Sequence, residues 1–205
     1  MKGAGVRLAV AAVVLSLTSA ACAASSSTTS QPLRSLLISD IPGFTPATTD
    51  GLSDVPVGSL TRDVASSSDC DGVSPSTLQS DAWQETELRS WRSSSTDLSM
   101  FIDLCVSRFA SVTGSSRNYT QLSLSLSSSR NGGIIPKSLI VPGLEGATAV
   151  SLIIGRIDMS EVSYVEKRFV VTILTDLPPA DSNPASTIVQ LAIAQRERLS
   201  AEPGS

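Results

Sequence analysis

The clearest pattern in the chain is an alternation of apolar and polar residues between positions 97 and 109. A period of two is typical of a β-strand, whose side chains point to opposite faces in turn. One face is entirely apolar and the other is half apolar, so we expect this strand inside a sheet that is covered on both sides. The apolar residues are Leu98, Met100, Ile102, Leu104 and Val106 on the first face, and Phe101 and Cys105 on the second.

Further strands are predicted on either side of it. Residues 83–91 alternate weakly and are followed by a serine-rich turn, which predicts an antiparallel hairpin with the first strand. Strands are also predicted at 148–158 and 162–175, with a turn at 159–161. Within the second of these, residues 169–174 are almost continuously apolar and β-branched, which is typical of a central strand.

Helical spacing of apolar residues predicts short helices at 33–39, 60–65 and 75–80, and a long closing helix at 184–200. Residues 112–126 fit two structures, because Tyr119, Leu122 and Leu126 match a helix while Leu122, Leu124 and Leu126 match a strand. We favour the helix, since it would cover one face of the sheet. The order of elements predicts an α+β fold: an antiparallel sheet of four to six strands with helices packed on it.

The first 21 residues have the pattern of a signal peptide. Lys2 and Arg7 precede the apolar run 8–17, and small residues follow it. Ten apolar residues in a helix span about 15 Å, half of a hydrocarbon core of about 30 Å, so a permanent membrane helix is not expected. We therefore predict an exported protein with a leader at 1–21, a tether at 22–31, one globular domain at 32–200 and a disordered tail at 201–205.

Cys22 follows the small residues of the leader, as the lipidated cysteine does in a bacterial lipobox. Ser19 stands where that pattern has an aliphatic residue, and the alternative is an ordinary leader cleaved after Ala21. The Ser- and Thr-rich stretch 23–30 would serve as a flexible tether. We predict that Cys22 carries a lipid that holds the domain at the outer face of the cell membrane. The alternative is a freely secreted protein.

The net charge and the cysteine content limit the classes of partner, cross-link and cofactor that we expect. The net charge is −4, and removal of the leader with its two basic residues makes the chain more acidic, so a nucleic-acid partner is not expected. With Cys22 assigned to the lipid, two cysteines are left, Cys70 and Cys105. Because an exported protein passes into an oxidising compartment, this pair predicts a disulfide. Two unrelated buried thiols are the alternative. Without histidine, we expect no metal site and no cofactor.

The absence of histidine also excludes Ser-His-Asp and Cys-His catalytic arrangements. A Ser-x-x-Lys motif, a G-x-S-x-G motif, a dinucleotide-binding glycine pattern and a P-loop are all absent. Carboxylates such as Glu85, Glu87, Asp103 and Glu166 would need to converge in a cleft to act as acid and base. We therefore expect no catalytic residues, with a secreted hydrolase using a serine or carboxylate site as the alternative.

Trp83 and Trp91 are the candidate ligand-binding residues. They lie eight positions apart on one predicted strand, so parity predicts that they share a face, where they could line a groove for an apolar or sugar ligand. The alternative is that both anchor the core.

Several turn and packing motifs resemble those of the LpqN-type lipoproteins of mycobacteria, over residues 33–199. They are the I-P-G-F sequence at 41–44, the V-P-G sequence at 141–143 with Gly146 and Ala147, and Gln195, Arg198 and Leu199 in the last helix. The resemblance implies a PsbP-like α/β/α sandwich in the cell envelope and no catalytic residue set. Together these observations predict a non-enzymatic binding module for a hydrophobic ligand, a cell-wall component or another envelope protein.

Overall fold

The computed structural model describes residues 30–68, 70, 72–93, 100–128, 137–154, 157–177 and 184–202. The elements in chain order are α1 (Leu33–Leu36), β1 (Phe44–Pro46), β2 (Gly58–Leu60), α2 (Arg62–Ser67), α3 (Pro75–Ser80), β3 (Trp83–Ser93), β4 (Phe101–Phe109), α4 (Val112–Ser128), β5 (Lys137–Ser138), β6 (Thr148–Ile154), β7 (Ile157–Glu166), β8 (Phe169–Leu177) and α5 (Pro184–Ser200). The predicted leader and Cys22 lie outside the described residues.

The strands form one open antiparallel sheet in the order β1-β3-β4-β8-β7-β6-β5, and β2 pairs with β3 beside β1. The α+β prediction is confirmed, and the described residues contain eight strands rather than four to six. The additional strands β1, β2 and β5 have three residues or fewer, too short to show an alternating pattern.

Helices cover both faces of the sheet, as the two-sided apolar pattern of β4 predicts. Segment α1 and helix α5 bury one face, with Ile102, Leu104 and Val106 of β4 in that core. Helices α2, α3 and α4 bury the other face, with Cys105 and Phe109 of β4. The helical interpretation of 112–126 is therefore correct. None of the helices among the described residues is long and apolar enough to cross a membrane.

The predicted turn at 159–161 is wrong. Strand β7 runs through these residues, and the chain reverses at Lys167 and Arg168, where Glu166 pairs with Phe169. Lys167 takes a left-handed conformation with φ of 52°. Because turns of this kind are recognised in sequence by glycine or asparagine, a lysine at this position gives no signal.

The last described residues at the carboxyl end pack against the sheet. Glu202, assigned to a disordered tail, is buried and forms ion pairs with Arg108 and Arg168. Arg108 also donates hydrogen bonds to the Ser30 hydroxyl and the Gln31 carbonyl. One buried guanidinium therefore joins the middle of the sheet to the chain before α1 and after α5.

Candidate ligand-binding groove

A groove lies where the outer edge of the sheet is interrupted. Strands β1 and β2 both pair with β3, but β1 covers Trp91 to Ser93 and β2 covers Thr86 to Leu88. Between them, the Ala47 N–H donates to the Ser90 carbonyl before the chain leaves the edge. The eleven-residue strand β3 therefore has two short neighbours in line, with an opening between them.

The connection between β1 and β2 is built by a local turn. The Asp50 carboxylate accepts hydrogen bonds from the backbone N–H groups of Ser53 and Val55, and the Asp50 N–H donates to the Val55 carbonyl. Such side-chain acceptance by Asp stabilises a turn without a neighbouring strand. Thr49 and Pro56 form a bridge that returns the chain to β2.

This turn is held against the sheet by Asp103 of β4. Its carboxylate accepts a hydrogen bond of 2.7 Å from the Gly51 N–H. Gly51 lies directly against the Phe101 ring, and a Cβ atom there would overlap the ring carbons. A glycine is therefore required at this position by close packing, which fixes the distance between the connection and β4.

The groove has a volume of about 430 Å³, within the range of small-molecule sites. Buried residues of β3 form the floor. Apolar residues of the edge connection form one wall, and polar residues of α1 and the chain that follows it form the other. The lining residues are Arg34, Ser39, Pro46, Ala47, Val57, Gly58, Ser59, Glu87, Leu88, Arg89, Ser90 and Trp91.

Arg89 fixes the polar wall. Its guanidinium donates hydrogen bonds of 2.7 Å to the carbonyls of Ile38 and Arg34, and thus holds α1 against β3. Helix α5 also binds this segment, through the side chain of Gln195. There the Gln195 side chain accepts from the Ile38 N–H and donates to the Leu36 carbonyl. The polar wall is therefore tied to the sheet and to α5 through side chains.

Glu87 lies in the floor, where its carboxylate accepts a 2.7 Å hydrogen bond from the Ser59 hydroxyl. Glu87 is buried, whereas Ser59 is exposed at the rim of the groove. This bond crosses from β3 to β2. A ligand in the groove would therefore meet a buried carboxylate that already has one donor.

The two candidate tryptophans are not brought together. Trp91 is buried in the core under α1 and α5, and also lines the groove, whereas Trp83 packs on the core under α2 to α4. The shared-face prediction is wrong because a β-bulge between Trp83 and Glu85 adds one residue to β3 and reverses its parity. Arg62 lies over the Trp83 ring, with its guanidinium carbon 5.7 Å from the ring centroid. Trp91 alone therefore belongs to the groove.

The disulfide between Cys70 and Cys105 is confirmed. It lies in the core under α2 to α4 and joins the segment after α2 to the middle of β4. It lines a small cavity of about 10 Å³ together with Asp50 and Asp103. The disulfide is therefore structural. It lies on the opposite face of the sheet from the polar wall of the groove.

The four carboxylates considered for acid–base chemistry do not converge. Glu85 pairs with Arg108, Glu87 lies in the groove, and Glu166 pairs with Arg196 on the α5 side. Asp103 faces the opposite side of the sheet. Among the residues that the structure describes, no group of three or more Cys, Asp or Glu side chains could hold a metal ion.

Asp103 is nevertheless unusual, because its pKa is raised to about 6. Burial is the largest cause, and the charge of nearby Asp50 adds to it. The hydrogen bond from the Gly51 N–H, the nearby Ser90 hydroxyl and the charge of Arg92 oppose the increase. The folded state therefore binds a proton at Asp103 more tightly than the unfolded state does. The resulting stabilisation is complete below about pH 4 and is lost as the pH rises through about 6.

We expect Asp103→Asn to increase the free energy of unfolding at pH 7 by about 1–3 kcal/mol, because the neutral amide removes the cost of a buried charge. It should also weaken the dependence of stability on pH between 4 and 7. Urea unfolding at several pH values measures both effects. Glu145→Gln, which neutralises an exposed carboxylate, is the control and should change stability by less than about 0.5 kcal/mol. A less stable Asp103→Asn with an unchanged pH profile would contradict the prediction.

Comparison with known proteins shows a shared fold. No family model and no curated protein matches the sequence. Among solved structures, the chain is similar to the extracellular domain of PknH from Mycobacterium tuberculosis, with a TM-score of 0.53 and 12% identity over 81% of this chain and 93% of that domain. The fold is therefore one that occurs in an extracellular domain of a mycobacterial protein. The resemblance to the LpqN-type lipoproteins and their PsbP-like sandwich stays a prediction.

Proposed function

We propose that this chain is an exported, lipid-anchored protein of the cell envelope that binds a ligand without catalysing a reaction. The groove carries the proposal. Its volume is that of a small-molecule site, and it combines an apolar wall with a few placed polar groups, as such sites do. Its walls are held by specific hydrogen bonds from β3, β4 and α5.

The route of the chain into the domain supports a role at the envelope. Ser30 and Gln31 contact Arg108, which pairs with Glu85 of β3. The groove floor begins at Glu87, two residues further along that strand, or about 7 Å away. A tether from Cys22 would thus enter the domain beside the groove, and the eight residues 23–30 would extend about 30 Å at most. An anchored domain would keep the groove close to the membrane surface.

The alternative is a hydrolase with a histidine-free site, and the raised pKa of Asp103 is the observation that favours it. The cavity beside this carboxylate has a volume of about 10 Å³, room for one water molecule but not for a substrate. The other three carboxylates lie elsewhere. We therefore favour binding over catalysis.

The proposal is tested by native mass spectrometry of the protein extracted from its own membranes. We expect a co-purifying small molecule, and we expect Ser39→Trp to reduce its occupancy at least fivefold, since an indole there would fill the groove. Ser39 is exposed, so the core remains intact. Ser138→Trp, on β5 at the opposite edge of the sheet, is the matched control and should retain the molecule.

The lipid anchor is tested on the same preparation by measuring the mass of the denatured chain. A mass increase of the size of a diacylglyceryl group on an amino-terminal Cys22 is expected. A chain that carries no addition would contradict the anchor, and a ligand retained equally by both tryptophan variants would contradict the groove. The two parts of the proposal can therefore fail separately.

A further inference from the structure

The polar wall of the groove carries more positive than negative charge, although the chain as a whole is acidic. Arg34 and Arg89 line the groove together with Glu87, and Arg198 and Asp40 lie near Arg89 outside the lining. Burial lowers the pKa of Arg89, the charge of Glu87 opposes this, and the like charges of Arg34 and Arg198 add to the lowering. The guanidinium of Arg89 is therefore close enough to be repelled by Arg34 and by Arg198.

Two of these three arginines already donate hydrogen bonds to backbone carbonyls. Arg89 donates to the carbonyls of Ile38 and Arg34, and Arg198 donates to the Leu37 carbonyl. Arg34 differs, because its exposed guanidinium has no hydrogen-bond or ion-pair partner in the part of the chain that the structure describes. Arg34 therefore offers up to five donors at the mouth of the groove.

The opposite wall is apolar. It consists of Pro46, Ala47 and Val57, which are exposed or half-buried on either side of the opening between β1 and β2. A small inorganic anion would pair with the arginine side but would leave this wall in contact with water. A ligand that has both an anionic group and an alkyl segment would satisfy both walls.

We infer that the groove binds an anionic amphiphile, with its charged group at Arg34 beside Arg89 and its apolar segment along Pro46, Ala47 and Val57. The inference rests on the proposed function, because it names the class of ligand for the same groove. Glu87 does not oppose it, since this carboxylate lies in the floor, where Ser59 and Arg89 balance it. The excess positive charge remains at the mouth.

Calorimetric titration of the exported chain with octyl phosphate tests the inference, with octyl glucoside as an uncharged probe that has the same tail. We expect octyl phosphate to bind at least tenfold more tightly than octyl glucoside, because a charge-assisted hydrogen bond is lost with the glucoside. Arg34→Gln should weaken the binding of octyl phosphate about tenfold. Lys137→Gln, which removes an exposed positive charge from β5, should change it less than twofold.

Two further arms identify the source of the ligand. If the Cys22→Ser chain, which has no lipid anchor, is retained on vesicles of phosphatidylglycerol but not of phosphatidylcholine, and Arg34→Gln abolishes the retention, a membrane lipid is supported. Binding of octyl phosphate without retention on vesicles would support a released amphiphile. Inorganic phosphate should bind much more weakly than octyl phosphate, because it does not contact the apolar wall.

Equal affinity for octyl phosphate and octyl glucoside, or an unchanged affinity in Arg34→Gln, would overturn the anionic class. The groove itself is tested separately by Ser39→Trp. If this variant loses the co-purified molecule while Arg34→Gln retains it, the groove is the binding site and the ligand is not an anion. If both variants retain it, the inference and the proposed function fail together.

Discussion

Arg108→Met is expected to lower the free energy of unfolding by about 3 kcal/mol. Arg108 is buried in the sheet and forms ion pairs with Glu85 at 2.7 Å and Glu202 at 3.2 Å. Removing one member of a buried ion pair typically costs 3–5 kcal/mol, because the other charge is left without compensation. We expect the lower end of this range, since Arg168 remains paired with Glu202.

The loss should be accompanied by release of the chain before α1, because Arg108 also holds Ser30 and Gln31. Hydrogen exchange at the amides of residues 31–37 would report this release, and urea unfolding would give the free energy. Arg196→Met is the matched control, since Arg196 forms an exposed pair with Glu166. Exposed pairs contribute less than about 1 kcal/mol. If the two variants lose equal stability, the buried cluster has no special role.

Removal of the Cys70–Cys105 disulfide is expected to lower the free energy of unfolding by about 3–4 kcal/mol. The bond spans 35 residues and restricts the unfolded chain, which is the main source of its stabilisation in the chain-entropy treatment. The paired variant Cys70→Ala and Cys105→Ala removes it permanently. Both positions are buried in the core under α2 to α4, so the folded topology should be retained.

Treatment of the unmodified protein with reductant serves as the control, because it breaks the bond without changing a side chain. The two losses should agree within about 1 kcal/mol, and the difference measures the atoms removed from the core. Circular dichroism during thermal unfolding, with and without reductant, gives the comparison. An unfolding midpoint that does not change on reduction would contradict the prediction.

The sequence predicted the fold best where many neighbouring residues share one hydrophobic pattern. The apolar alternation of β4, the continuous run in β8 and the cysteine pair predicted the centre of the sheet, its two covered faces and its cross-link. These features depend on neighbouring residues in the chain or on composition. They are therefore visible before the chain folds.

The groove could not be predicted in the same way. A single extra residue near Gln84 moved Trp83 to the other face, and no residue type marks a bulge of this kind. Arg34 and Arg89 are 55 positions apart and appear in sequence as ordinary surface charges. The opening depends on two three-residue strands that share one neighbour, an arrangement that exists only in the folded sheet.

The interrupted edge has a consequence for how such a protein can diverge. Strands β1 and β2 are each registered on β3 by their own pairs, so the connection between them can change outside Asp50 and Gly51 without shifting either register. Between them, β1 and β2 cover much of the long edge of β3, which limits its pairing with another chain. Selection can therefore remodel one wall of the groove while the sheet stays the same.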